Sequence, residues 1–336
     1  METRERKWQP YKNEKDAIIP LIPKACGDER AAVELFEQMR WGSDPACVKC
    51  GSTDVYQMRD SVTGDRQANF RWRCRDCKKQ YTVRTGHVME DSALPLTVWA
   101  MAFWQATASK KGCSAKQLER MTGISYKSAL FVLHRIRWGM VETDGAPLTG
   151  AVEVDETFVG GKPRKLSKQQ REKIIAEEGA LPKPTRGRGR GHHTPIVAVA
   201  ERSTKKVRTR VTADVTAPVL RAACNEMIRN TKAVLYTDEL AAYKGMGKEY
   251  AGHETVCHSA FEYARGPVHV NTLENFFSRF ERAMFGIWHN VSRVHLHRYA
   301  THIEFLHNNR ECTDGVRFGI AVRSADGKRL TRRALP

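Results

Sequence analysis

Four cysteines in two close pairs carry the clearest chemical signal in the sequence. The pairs are CVKC at residues 47–50 and CRDC at residues 74–77, with 23 residues between them. Four thiolates at this spacing are typical of a closed, tetrahedral zinc site that leaves no position for water or substrate. The sequence therefore predicts one structural Zn²⁺ ion, bound by Cys47, Cys50, Cys74 and Cys77 in a zinc ribbon. Four unrelated thiols are the alternative.

Three carboxylates in the otherwise apolar segment AVEVDETFVGG are the second signal. Strand alternation puts Glu153 and Asp155 on one face and Glu156 on the other, where we expect it to pair with a Lys or Arg. A later strand-like segment, AVLYTDE, carries Asp238 near its end. If the two strands are neighbours, Asp155 and Asp238 lie close together and repel each other unless a cation lies between them. We therefore expect Asp155 to be a metal ligand and Glu153 to be structural.

The segment HVNTLENFFSRFERAMF contributes a third acid, Glu274, on a predicted helix. An apolar stripe marks the buried face of this helix, and Glu274 lies at the rim of the stripe, one turn into the helix. Taken alone, Asn271 and Glu274 have the spacing of a helix cap and its reciprocal partner. Asn271 is therefore either a cap or a group that positions a phosphate or a metal-bound water.

Two closely spaced helix starts occur in SAKQLERMTGISYKSALFVLHRIRWGM. Ser114 and Gln117 match a capping box, Ser125 can cap the next helix, and Gly123 lies in the turn between them. This pattern favours a helix-turn-helix, whose second helix enters the major groove of DNA. An ordinary helical hairpin is the alternative. On the second helix, the residues expected to contact DNA are Tyr126, Lys127 and Arg135, with Ser125 at its start.

The elements that position these groups belong to a chain of 336 residues with a formal net charge of +18. Its hydrophobic fraction of 41% excludes general disorder. The charge favours nucleic acid as a partner over an acidic membrane, and Arg71 and Arg73 beside the second cysteine pair are candidates for phosphate contacts. No apolar run reaches the roughly 20 residues of a membrane span, and the N-terminus lacks the apolar core of a signal peptide. We therefore expect a cytoplasmic protein.

Changes of composition along the chain predict five regions. They are an N-terminal helical segment (1–40), a zinc ribbon (41–90), a helical DNA-binding region (91–148), a strand-rich domain (149–310) and a basic tail (311–336). The strand-rich domain contains a basic insertion at about residues 162–193, which ends in alternating Gly and Arg.

The order of the three acids, with 35 residues between Asp238 and Glu274, resembles that of the DDE transposases. Within that superfamily the chain is similar to the zinc-ribbon insertion-sequence transposases of the ISXO2-like group, which are related to Merlin-type transposases. The resemblance covers most of the chain. Besides CVKC…CRDC and the helical segment after it, the matching motifs are VDETFVGGK, YTDELAAY, HVNTLENFFSR and GIWHNVSRVHLHRYATHIEFLHNNR.

The resemblance implies a multidomain protein, with an N-terminal zinc ribbon and helix-turn-helix followed by an α/β ribonuclease H-like catalytic domain with a mixed sheet. It implies two Mg²⁺ or Mn²⁺ ions, with Asp155 bridging them and Asp238 and Glu274 each completing one side. The implied reaction is strand cleavage at the terminal inverted repeats of the element, followed by strand transfer into target DNA. The implied state is a homodimer or larger assembly on double-stranded DNA, associated with a bacterial nucleoid and not with a membrane.

Lys162 and Arg282 are two further candidates for DNA contacts. Such enzymes often carry a basic residue seven places after the catalytic Glu; here Glu281 occupies that place and Arg282 follows it. Two other classes of function remain open on the sequence alone. One is a DNA-binding regulator without catalysis, which would bind DNA but not cut it. The other is a ribonuclease H-like nuclease that cuts without joining, which a strand-transfer assay distinguishes.

Overall fold

The structure is a computed structural model, and it describes residues 16–142, 147–160, 167–179, 193–228, 232–262 and 264–331. The chain forms two compact units. We call them the N-terminal unit (residues 1–145, 282–289 and 301–336) and the sheet unit (residues 146–281 and 290–300). Lys162 and most of the predicted basic insertion lie outside the described residues.

Two helices begin the described part of the N-terminal unit, α1 (Leu21–Gly27) and α2 (Glu29–Trp41). Asp28 lies between them, and its carboxylate accepts a hydrogen bond of 2.7 Å from the Ala31 N–H, which caps α2. The apolar face of α2 is buried through Leu35, Phe36 and Met39, as their helical spacing predicted.

A small antiparallel sheet follows, formed by β1 (Val55–Gln57), β2 (Trp72–Cys74) and β3 (Gln80–Tyr81). Its core is limited to a few residues, chiefly Trp72, Tyr81, Cys47 and Cys74, and the Trp41 ring packs edge-on against the two aromatic rings. A core of this size contributes little stability by itself, so we expect a bound metal to hold the sheet together.

Three helices follow the ribbon: α3 (Leu96–Ala108), α4 (Ala115–Thr122) and α5 (Tyr126–Gly139). The side chains of Ser114 and Ser125 cap α4 and α5, each accepting a backbone N–H three residues further on. Gly123 ends α4 with φ of 71°, a left-handed conformation that would strain a residue with a side chain. The predicted helix starts and the turn between them are therefore confirmed.

Five strands form one sheet in the sheet unit. They are β4 (Ala151–Val159), β5 (Thr194–Glu201), β6 (Val207–Val211), β7 (Val234–Thr237) and β8 (Gly252–Thr255). Their order in space is β6-β5-β4-β7-β8. The central strand β4 is antiparallel to β5 and parallel to β7. Since β6 is antiparallel to β5 and β8 is parallel to β7, the sheet is mixed, as predicted.

Two helices connect these strands along the chain. They are α6 (Lys168–Glu178), between β4 and β5, and α7 (Ala217–Ile228), between β6 and β7. Helix α7 was not predicted from the sequence. Its Leu220, Cys224 and Ile228 recur at helical spacing and enter the same core as Val152 and Val154 of β4. This core supports the strand that carries Asp155.

A short hairpin of β9 (Ala264–Arg265) and β10 (Val268–His269) leads into α8 (Asn271–Ala283). The predicted stripe of α8 is buried through Leu273, Phe276, Phe277 and Phe280, and the helix continues as a π-helical turn over Met284–Trp288. Two helices complete the described chain, α9 (Leu296–Asn308) and α10 (Asp314–Ser324). None of the helices in the described ranges combines the length and the apolar character needed to cross a membrane.

The last helix differs from the expectation of a weakly patterned basic tail. Phe318 of α10 is fully buried in the N-terminal unit, and its ring centroid lies 6.2 Å from those of Phe36 on α2 and Phe103 on α3. Phe318, Ala321 and Val322 have helical spacing, but the arginines directly before and after them, Arg317 and Arg323, obscured the pattern. The C-terminal segment is thus part of the core of the N-terminal unit.

Candidate functional site

The four ribbon cysteines converge on one point. Their Sγ atoms all lie within 4.8 Å of one another. The Sγ–Sγ distances are 3.6 Å for Cys47–Cys77 and 3.7 Å for Cys50–Cys74. A tetrahedron with Zn–S bonds of about 2.3 Å places its sulfurs about 3.8 Å apart, so the cluster has the dimensions of a structural zinc site.

The backbone around this cluster favours the thiolate form of one ligand. The N–H groups of Cys77 and Asp76 donate to the Cys74 sulfur and lower the pKa of its thiol to about 7. Zn²⁺ binds the thiolate and not the thiol, so this environment assists metal binding at neutral pH.

Asp155 and Asp238 follow paired positions on neighbouring parallel strands. Glu153 of β4 pairs with Tyr236 of β7, and each aspartate lies two residues further along its own chain segment. The expectation that the two aspartate-bearing strands are neighbours is confirmed. β4 extends to Val159, however, so Asp155 lies in the middle of the strand and not toward its end. After Glu153 the pairing with β7 stops while the pairing with β5 continues, which leaves room beside Asp155.

Glu274 joins the two aspartates from the first turn of α8, where it is exposed. Burial raises the pKa of Asp155, as do the charges of Glu156, Asp238 and Glu274, and together they bring it to about 8. The structure thus brings the three predicted acids into one electrostatic cluster, which we call the acid cluster.

The acid cluster is more open than the cysteine site. Among the described residues, only the four cysteines form a group of three or more whose potential ligand atoms all lie within 4.8 Å of one another. The carboxylate oxygens of the three acids are therefore spaced more widely than the cysteine sulfurs. Two ions about 4 Å apart, with oxygen ligands at about 2.1 Å, require such a wider spread. Carboxylates are hard oxygen donors and suit Mg²⁺ or Mn²⁺, and Asp155, Asp238 and Glu274 are the residues that would hold them.

Glu153 is fully buried on the same strand and caps α8. Its carboxylate accepts hydrogen bonds from the Thr272 N–H (2.9 Å), the Thr272 hydroxyl (3.0 Å) and the Leu273 N–H (3.3 Å). The spacing in the sequence had suggested Asn271 for this role. Instead Asn271 is exposed, and the Glu274 N–H donates to a backbone carbonyl. The structural role expected for Glu153 therefore consists of holding the helix that carries Glu274.

Arg202, in the turn after β5, neutralises Glu153. Its Nε donates to Glu153 Oε1 at 3.0 Å, and its two terminal nitrogens donate to the carbonyls of His269 and Pro267. The guanidinium also stacks on the Tyr236 ring, 4.0 Å from the centroid. Arg202 was not predicted from the sequence, because it lies in a turn with other charged residues. The available signal was Glu153, since a carboxylate in a buried strand requires a cation.

Glu156 faces the opposite side of β4, as strand alternation predicted. Its carboxylate accepts a hydrogen bond of 2.7 Å from the hydroxyl of the buried Tyr243, where a Lys or Arg was expected. Burial and the charge of Glu156 raise the pKa of Tyr243 well above its ordinary value, so the phenol remains a donor. Glu156 is thus held on the face of β4 opposite to Asp155, while its charge still acts on Asp155.

Basic residues expected to contact DNA lie in different environments. Arg71 is exposed on the ribbon, with its Nη1 3.1 Å from Gln80 Oε1, while Arg73 is half-buried on β2. Arg282 is exposed in the last turn of α8. Lys162 lies outside the described residues.

Helix α5 has an exposed beginning and a buried end. Tyr126 and Lys127 are exposed, and the Lys116 ammonium of α4 lies 5.1 Å from the centroid of the Tyr126 ring. Arg135 is only 5% exposed; it donates to a backbone carbonyl and stacks on Trp99 of α3. The expectation that Arg135 faces DNA is wrong, because it lies more than two turns further along, on the side of α5 that packs against α3.

Comparisons with known proteins match the same two parts of the chain. A profile of the ISXO2-like transposase domain matches residues 147–308, which include the acid cluster. A profile of a transposase zinc-ribbon domain matches residues 27–80, which include the four cysteines. A protein of Halobacterium salinarum, described as an uncharacterized protein in transposable element ISH50, is 30% identical over 263 residues. The alignment covers 76% of this chain and 83% of that protein.

Proposed function

The chain belongs to the ISXO2-like transposase family, and on this premise we propose that it binds the terminal inverted repeats of an insertion sequence and catalyses metal-dependent strand cleavage and strand transfer. The observation that carries the proposal is the acid cluster. Asp155, Asp238 and Glu274 come from three separate elements, and the charges of the other two help to raise the pKa of Asp155 to about 8.

The topology of the sheet unit supports a ribonuclease H-like catalytic domain. Its central strand β4 has an antiparallel neighbour on one side and a parallel neighbour on the other. Asp155 lies on β4, Asp238 directly follows the parallel neighbour β7, and the glutamate comes from a later helix. This is the order that the resemblance to DDE transposases implies.

In the proposed site, Asp155, Asp238 and Glu274 would together hold two Mg²⁺ or Mn²⁺ ions. When bound, the ions supply activation of the attacking oxygen and neutralise charge on the phosphodiester. The protein orients the ligands: Asp155 accepts the Glu156 N–H at 2.8 Å, and Asp238 accepts the Leu240 N–H at 3.0 Å. Fixed carboxylates hold the reacting groups in line without reorganisation during the reaction.

Two further residues of α8 have proposed roles of their own. Asn271 is exposed one turn before Glu274, and Glu153 occupies the capping position. We propose that the Asn271 amide positions a phosphate oxygen or a water. Arg282, exposed at the far end of α8, is proposed to contact the DNA backbone, as is Lys162.

The ribbon and the α4–α5 pair form the proposed DNA-binding part. Their geometry supports a helix-turn-helix in which the exposed start of α5 enters the major groove with Tyr126 and Lys127. Arg71 and Arg73 would bind phosphates, consistent with the net charge of +18. Two DNA ends must be processed together, so we propose a homodimer or larger assembly on the DNA.

The variants Asp155→Asn, Asp238→Asn and Glu274→Gln test this function. Each should bind labelled terminal-repeat DNA with wild-type affinity and lose Mg²⁺-dependent cleavage, because each removes a ligand charge without changing the volume of the side chain. Glu249→Gln is the matched control, since the Glu249 carboxylate pairs with Arg221 and should not affect cleavage.

The outcomes separate the proposed function from its alternatives. Wild-type cleavage in any one of the three variants would remove that residue from the site. A wild-type protein that shifts terminal-repeat DNA in a gel but never cuts it would be a regulator. Cleavage without strand transfer to a target plasmid would indicate a nuclease.

A further inference from the structure

We propose that Arg202 and Glu153 are positioning residues that tie the three acid-bearing elements together and so set the geometry of the metal ligands. This inference rests on the proposed metal site formed by Asp155, Asp238 and Glu274. It adds two residues that act through those ligands.

The Arg202 guanidinium contacts both aspartate-bearing strands. Its Nε lies 3.0 Å from Glu153 Oε1, two residues before Asp155 on β4. The Cζ atom of the guanidinium lies 4.0 Å from the centroid of the Tyr236 ring on β7. Tyr236 is two residues before Asp238 in the sequence. Glu153 and Tyr236 are partners in the strand register. The Arg202 side chain therefore connects the two strands at positions that are each two residues before an aspartate.

The same ion pair also holds the helix that carries the third acid. Arg202 Nη2 donates to the His269 carbonyl at 2.6 Å, in the hairpin directly before α8. Glu153 accepts the N–H groups of Thr272 and Leu273, and Glu274 is the next residue. A carboxylate at a helix N-terminus binds both the free N–H groups and the positive end of the helix dipole. The position and rotation of the first turn of α8 therefore depend on Glu153.

Burial makes this connection rigid. Glu153 is fully buried, and the Arg202 side chain is 18% exposed. Hydrogen bonds between charged groups are stronger than neutral ones, and they hold one geometry. Loss of either partner leaves the buried charge of the other with fewer partners, although His269 Nδ1 lies 3.2 Å from Glu153 Oε1. The surrounding elements relieve this by moving. Such movement would separate ligands that already repel one another through their charges.

Glu153→Gln and Arg202→Lys test the inference in the full-length, zinc-loaded protein. Isothermal titration with Mn²⁺ should show affinity about 10- to 100-fold weaker than wild type in both variants, the usual effect of losing a residue that supports metal ligands. Without added Mn²⁺, the amides of Thr272 and Leu273 should exchange with deuterium faster in Glu153→Gln. Affinity for terminal-repeat DNA should not change, and raised Mn²⁺ should restore most of the cleavage rate.

Glu201→Gln is the matched control. Glu201 is also a buried carboxylate, next to Arg202 in the chain, but it binds the hydroxyls of Thr149 and Thr204. This variant should lose comparable stability and keep wild-type Mn²⁺ affinity. If Glu153→Gln does not fold, Arg202→Lys carries the test, because lysine keeps the charge and loses the carbonyl contacts and the stacking.

Each outcome either supports or overturns the inference. Equal Mn²⁺ affinity in wild type, Glu153→Gln and Arg202→Lys would overturn it while leaving the proposed metal site intact. Equal loss of Mn²⁺ affinity in Glu153→Gln and the Glu201→Gln control would also overturn the inference, because the loss would then reflect lower stability in general. A wild-type protein that binds no Mn²⁺ would overturn the proposed metal site, and this inference with it.

Discussion

Glu153 and Asp155 lie two residues apart on one strand, yet their surroundings give them different chemistry. The oxygens of Glu153 are occupied by Arg202 and by the first N–H groups of α8. Asp155 is surrounded by other acids, and burial together with their charges raises its pKa to about 8. A carboxyl group among like charges keeps its proton to higher pH than usual, and a bound cation would favour its release. The first residue therefore supports structure, and the second is suited to bind metal.

The raised pKa of Asp155 predicts that stability depends on pH in the protein without added Mg²⁺ or Mn²⁺. The folded state keeps the Asp155 proton up to about pH 8, while the unfolded state releases it near pH 4. The contribution of the Asp155 proton to the free energy of unfolding is therefore complete at low pH, and it is lost as pH rises toward 8. Between pH 6 and pH 8, urea denaturation should show the wild type losing about 1–2 kcal/mol relative to Asp155→Asn.

The same measurement has an internal control. Asp214 bonds to Thr216, whose hydroxyl lowers the pKa of that carboxyl, so Asp214→Asn should behave like wild type over this pH range. Adding Mg²⁺ should stabilise the wild type but not Asp155→Asn, and more at pH 8 than at pH 6. Identical pH dependence of wild type and Asp155→Asn would contradict the raised pKa.

At the scale of elements, the ribbon sheet depends on its metal because its strands are of two or three residues and its core is small. Cys74→Ser should abolish zinc binding, measured by elemental analysis, and the amides of β1–β3 should lose protection from hydrogen exchange. Metal binding in such small domains supplies on the order of 10 kcal/mol of folding free energy. Cys312→Ser, outside the ribbon, should keep zinc and protection. Persistent protection in the metal-free Cys74→Ser ribbon would show that the sheet folds without metal.

Helix α5 divides into a surface end and a core end, and two variants on it should have opposite effects. Lys127→Ala should weaken binding of terminal-repeat DNA and reduce the slope of log affinity against log salt by about 1, with unchanged stability. Arg135→Ala should cost about 1–3 kcal/mol of stability, because it removes a buried group that stacks on Trp99. The DNA affinity of the folded Arg135→Ala protein should not change. If Arg135→Ala lost DNA affinity and Lys127→Ala did not, Arg135 would be part of the DNA-binding surface after all.

At the scale of the whole molecule, the chain returns to its first unit before it ends. Residues 301–336 belong to the same compact unit as residues 1–145, and α10 supplies Phe318 to the core of α2 and α3. The N-terminal unit therefore needs the C-terminal segment to complete its core.

Phe318→Ala should destabilise the N-terminal unit by about 3–5 kcal/mol, because the fully buried ring leaves a cavity. Val316→Ala on the same helix is the control, since Val316 is 40% exposed and should cost much less. Chemical denaturation followed by hydrogen exchange in α2 and α3 measures both variants. Similar small losses in the two variants would mean that α10 is not part of this core.

The chemistry of both sites was readable from the sequence because it depends on residue type and spacing. Two CxxC pairs specify tetrahedral thiolate coordination wherever the chain folds. Acids in apolar strands stand out because burial of an unpaired charge is costly, so Asp155 and Asp238 were identifiable from their strands. Glu274 lies on a helix and was identified from the order of the three acids, which resembles that of the DDE transposases. Caps and glycines are local signals too, and they located α4 and α5 correctly.

Tertiary structure decided the contacts between residues far apart in the chain. Only the fold shows that Arg202 neutralises Glu153 and that Glu153, 119 residues before Thr272, caps α8 in place of Asn271. Only the fold buries Arg135 and places Phe318 against Phe36. Local pattern reports which residues prefer burial or charge, whereas partners are set by how the elements pack. The sequence by itself thus identified which groups are suited to bind metal, and the packing decided which residues hold those groups in place.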